Sequence, residues 1–146
     1  MSRKTLFIAL TIVVVVWISA MLFGDSIWPR NPNLPQPAVG QEPFFIFESA
    51  FEALSFGVGV AFAIFGWRRV SEVMNNRRRA MAVYVSIVWL FISWWPHGKL
   101  HQFIYADNIL GLLLIEYGFH LSVIVVTAFV VYELLYYRED TQTSRL

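Results

Sequence analysis

The chain has 146 residues, of which 58% are hydrophobic and only 14% charged, with a mean hydropathy of +0.58. A soluble domain carries about 25% charged residues, so this chain cannot cover its surface with polar groups, and its natural solvent is lipid. Cysteine is absent, which excludes disulfides, thiolate metal sites and thiol redox chemistry. The net charge of +1 gives no reason to expect a nucleic-acid partner.

The first apolar run, Thr5 to Phe23, is 19 residues without a charge, about the length that spans a hydrocarbon core. A signal peptide has a shorter apolar region and a small-residue cleavage site, whereas this run ends Met21-Leu22-Phe23; it reads as an uncleaved first span. The outer loop 24–43 holds five prolines, Pro29, Pro32, Pro35, Pro37 and Pro43, and is expected to be an extended, stiff connector. The second run, 44–67, is apolar except for Glu48 and Glu52. A basic segment, 68–79, carries five arginines and reads as a topology-setting loop, with contact to anionic headgroups as the alternative. The third run, 80–95, closes on Trp94 and Trp95, aromatics of the headgroup level. The fourth, 109–137, contains Glu116, His120 and Glu133, and a short polar tail, 138–146, follows it.

In lipid each backbone polar group needs an internal partner, so a spanning run is a helix or a barrel strand. These runs are too long for barrel strands and do not alternate, which predicts an all-α four-transmembrane-helix bundle forming one transmembrane domain. Sidedness follows from the basic residues. Nine of the eleven lie at the N-terminus, in 68–79 or in the tail, against Arg30 and Lys99 elsewhere. Basic residues stay cytoplasmic, so both termini are expected inside.

Three polar pairs share one spacing: Glu48 and Glu52, His97 and His101, Glu116 and His120. Residues i and i+4 lie on one helix face. Counting inward at about 1.5 Å per residue in a core of about 30 Å places all three pairs in the outer leaflet, within roughly one turn of its boundary. Ionisable groups at such depth are costly and point to function. Imidazole with carboxylate suits zinc, iron, manganese or copper. The expected ligands are His97, His101 and His120, with Glu48 as a further carboxylate. Glu52 and Glu116 are expected to move protons or to bridge two metals, with Tyr105, Asp107 and Tyr117 in support. A bland reading stands beside this one. Glu48 complements a helix start, and His97 and His101 lie wet on a short interfacial helix that Pro96 begins. Glu116 and His120 then only hold helices together. His97-x3-His101 resembles one histidine box of the membrane desaturases and hydroxylases, but three histidines are too few for that family's set.

Span 2 carries two small-residue ridges, Ser49-Ala53-Gly57-Ala61 and Ser55-Gly59-Ala63-Gly66, the second running on from Glu52. Small residues let helices approach closely in lipid. This helix is therefore expected at the centre, with its ridges meeting other spans, other membrane subunits or a second copy. The function expected from these features is a metal-dependent or acid–base enzyme acting on a lipidic or small substrate at the outer face. The alternatives are a non-catalytic accessory subunit of a larger membrane complex and a proton-coupled transporter.

Overall fold

The computed structural model describes residues 2–34, 38–74, 76–103 and 108–143, the side chains of residues 103 and 136–143 excepted. It is all-helical among these residues, with α1 Arg3–Ile27, α2 Glu42–Val73, α3 Arg77–Ile92, α4 Trp94–Phe103 and α5 Ile109–Thr143. Four helices are long and apolar enough to cross a membrane: α1, α2, α3 continued through α4, and α5 to Leu135.

Local sequence explains the ends. The Ser2 hydroxyl accepts from the Thr5 amide at 3.1 Å and caps α1. Asn76 caps α3 in the same way, accepting from the amides of Arg78 and Arg79. The basic segment 68–79 is mostly helical rather than a loop. α2 runs on to Val73, and Glu72 pairs with Arg68 at 2.7 Å and with Arg69 at 3.3 Å across one turn. Only residues 74–76 lie between α2 and α3, and α5 continues to Thr143, into the expected tail.

The short helix after span 3 begins at Trp94, two residues before Pro96. Proline has no amide hydrogen, so the carbonyl of Ile92 receives no helical bond from residue 96. The break falls at Ser93, and bonds on either side of it, Ser93 N–H to Trp89 O and His97 N–H to Ser93 O, keep α4 running on from α3.

The helices stand in the order α1, α2, α3 with α4, α5. α2 packs on α1, α3 and α4; α5 packs on α3 and α4, and among the described residues it touches neither α1 nor α2. Both ridges of α2 are used within the chain. A methyl group on Gly57 would stand 2.7 Å from the Val13 carbonyl oxygen of α1. One on Gly59 would stand 2.6 Å from the Ile92 side chain and 2.9 Å from its amide nitrogen in α3. Side-chain donors then fasten the helices to one another's carbonyls: Trp17 Nε1 to Ala50 at 3.0 Å, Ser55 Oγ to Phe91 at 3.0 Å, and Tyr84 Oη to Ala63. Arg79 and Glu133 pair at 2.7 Å and tie α3 to α5 at the end away from α4. Outward faces are apolar, with Phe7 of α1 and Leu114, Leu121 and Ile124 of α5 all exposed.

The close approach of α2 and α3 gives a direct test. Gly59→Val is expected to lower stability in detergent by about 1–3 kcal/mol through overpacking. Gly118→Ala is the control, since nothing lies within 4 Å of a methyl group there, and it should be neutral or gain up to about 1 kcal/mol of helix propensity. Denaturation followed by circular dichroism reads both; equal behaviour of the two variants would contradict the packing argument.

Candidate metal centre

Three consecutive residues of α4 meet three different elements. His97 faces α5, where its ring stacks on Phe119 with centroids 3.8 Å apart and planes 13° apart. Gly98 faces α2, and the carboxylate of Glu52 occupies the space that a side chain at this position would need. Lys99 reaches the end of α1, donating to Asp25 at 2.5 Å and to Gln102 of its own helix at 3.2 Å. Asp25 also pairs with Arg30 at 3.2 Å. The amide of Asn31 donates to the Gln102 carbonyl at 3.0 Å, so the chain after α1 closes on the last turn of α4. Successive side chains on a helix point about 100° apart, which is how one short helix touches three neighbours.

Held in this way, α4 aims both histidines at α5. His101 Nε2 lies 3.3 Å from His97 Nε2 and 2.9 Å from Glu116 Oε1. The other carboxylate oxygen of Glu116 lies 3.0 Å from His120 Nδ1, which is also 2.7 Å from the Glu116 backbone carbonyl. The His120 ring meets the His97 ring edge-on at 5.4 Å. Burial is graded: His97 is 8% exposed, His101 and Glu116 are half-buried, and His120 is exposed. Glu116, His120, Leu113 and Tyr117 line an open groove of about 310 Å³ on the outer side of α5.

Proton accounting shows what the cluster can hold. Both acceptors near His120 Nδ1 call for a proton on that nitrogen. His101 Nε2 faces a carboxylate oxygen and a second imidazole nitrogen, so without a metal its proton is shared between them. One proton therefore sits among three potential ligand atoms. His97, His101 and Glu116 each offer one such atom, all within 4.8 Å of one another, and the group could hold a metal ion. At metal–nitrogen distances of about 2.0–2.1 Å, two ligands of a tetrahedral ion stand about 3.3 Å apart. The His97–His101 separation already has that value.

The structure thus brings together His97, His101, His120 and Glu116. Glu48 is exposed and, like Glu52, stands outside the group of converging ligand atoms. Glu52 is 9% exposed and lies against Gly98. Tyr117 lines the groove, while Tyr105 and Asp107 lie outside the described residues. Sequence reasoning passed over Gly98, Phe119 and the Asp25–Lys99 pair. A lysine counted only for sidedness, facing an aspartate at the end of span 1, was the available signal. No protein family, curated protein or solved structure matches the chain.

The anchoring of α4 is open to measurement. Lys99→Ala should cost about 1–3 kcal/mol, the range for a hydrogen bond to a charged group. Combined with Asp25→Ala it should cost less than the sum of the single changes, because they remove one shared contact. Strict additivity in a double-mutant cycle would show that this pair does not hold the helix.

Proposed function

We propose that this protein is an integral membrane enzyme with one divalent transition metal at its outer face, held by His97, His101 and Glu116. The observation that carries this reading is the convergence of three ligand atoms from two helices within 4.8 Å of one another, His101 lying 3.3 Å from His97 and 2.9 Å from Glu116. Three protein ligands leave a position open for water or substrate, the arrangement of catalytic rather than structural metal sites. A bound metal would supply Lewis acidity and would lower the pKa of a coordinated water.

The chain's own groups divide the remaining work. Glu116 meets the metal-binding side with one oxygen and the Nδ1–H of His120 with the other, so Glu116 is the group placed to accept a proton from the site and His120 holds that carboxylate in position. The groove opens on a helix whose exposed face is leucine- and isoleucine-rich, which suits a lipidic or small apolar substrate arriving from the bilayer. Nine of eleven basic residues lie at the other end of the spans, which supports cytoplasmic termini and an outward site.

One observation favours a second reading, an accessory subunit in which the cluster is internal glue. Among the described residues α5 touches only α3 and α4, so the His101–Glu116 contact is one of few polar ties holding it there. Proton-coupled transport has less support, because Glu133, the acid at the opposite end of α5, is engaged by Arg79.

Elemental analysis of the purified protein separates the readings. About one zinc, iron, manganese or copper per chain is expected in wild type and none in His101→Ala or His97→Ala, while His120→Ala keeps the metal and loses activity. Affinity should fall as pH falls, because metal and proton compete for the same nitrogens. A folded, metal-free wild type that takes up no added metal would leave the accessory-subunit reading in place. Sidedness has its own assay in this cysteine-free chain: Asn33→Cys should react with a membrane-impermeant maleimide in intact cells, and Asn76→Cys only after permeabilisation.

A further inference from the structure

His97 is the most buried of the three histidines, and its Nδ1 has no hydrogen-bond partner. Its Nε2 faces His101 and is the nitrogen that would meet a metal. An imidazole that binds metal through Nε2 carries its proton on Nδ1, and a buried N–H without an acceptor costs about 1–3 kcal/mol. Metal-bound histidines nearly always donate that second N–H to a carboxylate, a carbonyl or a water.

A buried carboxylate lies against the next residue of the same helix. Glu52 of α2 is 9% exposed, and its carboxylate fills the space where Gly98 lacks a side chain. It makes no hydrogen bond among the described residues. The nearby ammonium group of Lys99 is already used by Asp25 and Gln102. Glu48, one turn away, is exposed and does not share this position. A carboxylate of α2 that makes no hydrogen bond thus lies against Gly98, and the preceding residue of α4 carries a buried nitrogen without a partner, the two groups not being in hydrogen-bond contact with each other.

We propose that Glu52 is the positioning carboxylate of the metal centre, accepting the Nδ1–H of His97 when Nε2 binds metal, and that Gly98 is the gap through which it reaches. The inference rests on the metal reading above and extends the site from α4 and α5 to α2. Protons balance without loss of one: each imidazole stays neutral with Nε2 toward the metal and its single proton on Nδ1, and Glu52 accepts the hydrogen bond from the Nδ1–H of His97. The anionic partner fixes the ring and makes Nε2 a better donor to the metal.

Cobalt(II) titration of the detergent-solubilised full chain, read by its visible absorption, tests this. Wild type should bind with a saturable ligand-field band. Glu52→Ala should weaken binding about 10–100-fold, the usual effect of losing such a partner. Glu52→Gln keeps an acceptor oxygen and should recover most of the affinity. Gly98→Ala retains Glu52 but expels its carboxylate, so it should weaken binding as Glu52→Ala does. Thermal denaturation without metal is the parallel readout, since a merely structural Glu52 would change this midpoint and leave the cobalt affinity and band unchanged. If wild type binds cobalt and both Glu52→Ala and Gly98→Ala bind it equally well, the positioning role is overturned and the metal site stands. If wild type binds none, the metal reading fails and this role fails with it.

Discussion

The close contact of α2 with its neighbours is the constraint on which the remaining architecture depends. Apolar surface does not drive helices together in lipid, so their association rests on van der Waals packing and a few polar contacts. Gly57 lets α2 meet the backbone of α1, and Gly59 lets it meet the last turn of α3. The second contact lies just before the Ser93 break. It therefore sets where α4 starts, and through α4 it sets where the two histidines point. A wider α2–α3 spacing would lengthen or break the Ser55–Phe91 and Tyr84–Ala63 hydrogen bonds and carry α4 away from Glu52.

α4 is then a short helix positioned by aromatic contacts, Trp95 on Phe56 of α2 and Trp94 on Phe119 of α5, together with polar groups. Ten residues are too few for a stable isolated helix. It persists because α3 runs into it and because Asp25, Asn31 and Glu116 hold it from two sides. The polar residues at this end of the chain thus serve position as well as chemistry. This matters for interpreting variants: a change at Lys99 or Asp25 acts on the site by moving the helix, whereas a change at His101 removes a ligand atom.

Much of the helical layout is legible in the sequence, because a run such as Thr5 to Phe23 has one solution in lipid. Helix ends are less legible. In the sequence the arginines of 68–79 read as the end of a span, but Arg68 and Arg69 pair with Glu72 and α2 runs on by more than a turn. The i, i+4 rule correctly gathers each polar pair on one face of its own helix; it carries no information on which helix that face meets. His97 and His101 thus find Glu116 and not Glu48, because α5 lies beside α4 while Glu48 lies on an exposed part of α2. The role of Gly98 is hidden for the same reason. Its meaning comes from the Glu52 carboxylate, 46 positions away in the chain.

The balance of charge within the cluster is a final argument for a cation. Glu116 offers two oxygens, and each is met by an imidazole nitrogen. Structural glue would be complete with that arrangement, since one carboxylate and two histidines satisfy one another. His97 is the surplus member: it is buried, its Nε2 competes for a proton that His101 can give to Glu116, and its Nδ1 has no partner. As glue, His97 gains a stacking contact with Phe119 and one contact with His101, and its buried Nδ1 stays unpartnered at a cost in desolvation. As a metal ligand it has a use for both nitrogens, Nε2 toward the ion and Nδ1 toward a second carboxylate. On the metal reading proposed above, His97 is thus the residue whose substitution separates a centre built around a cation from a polar contact between two helices.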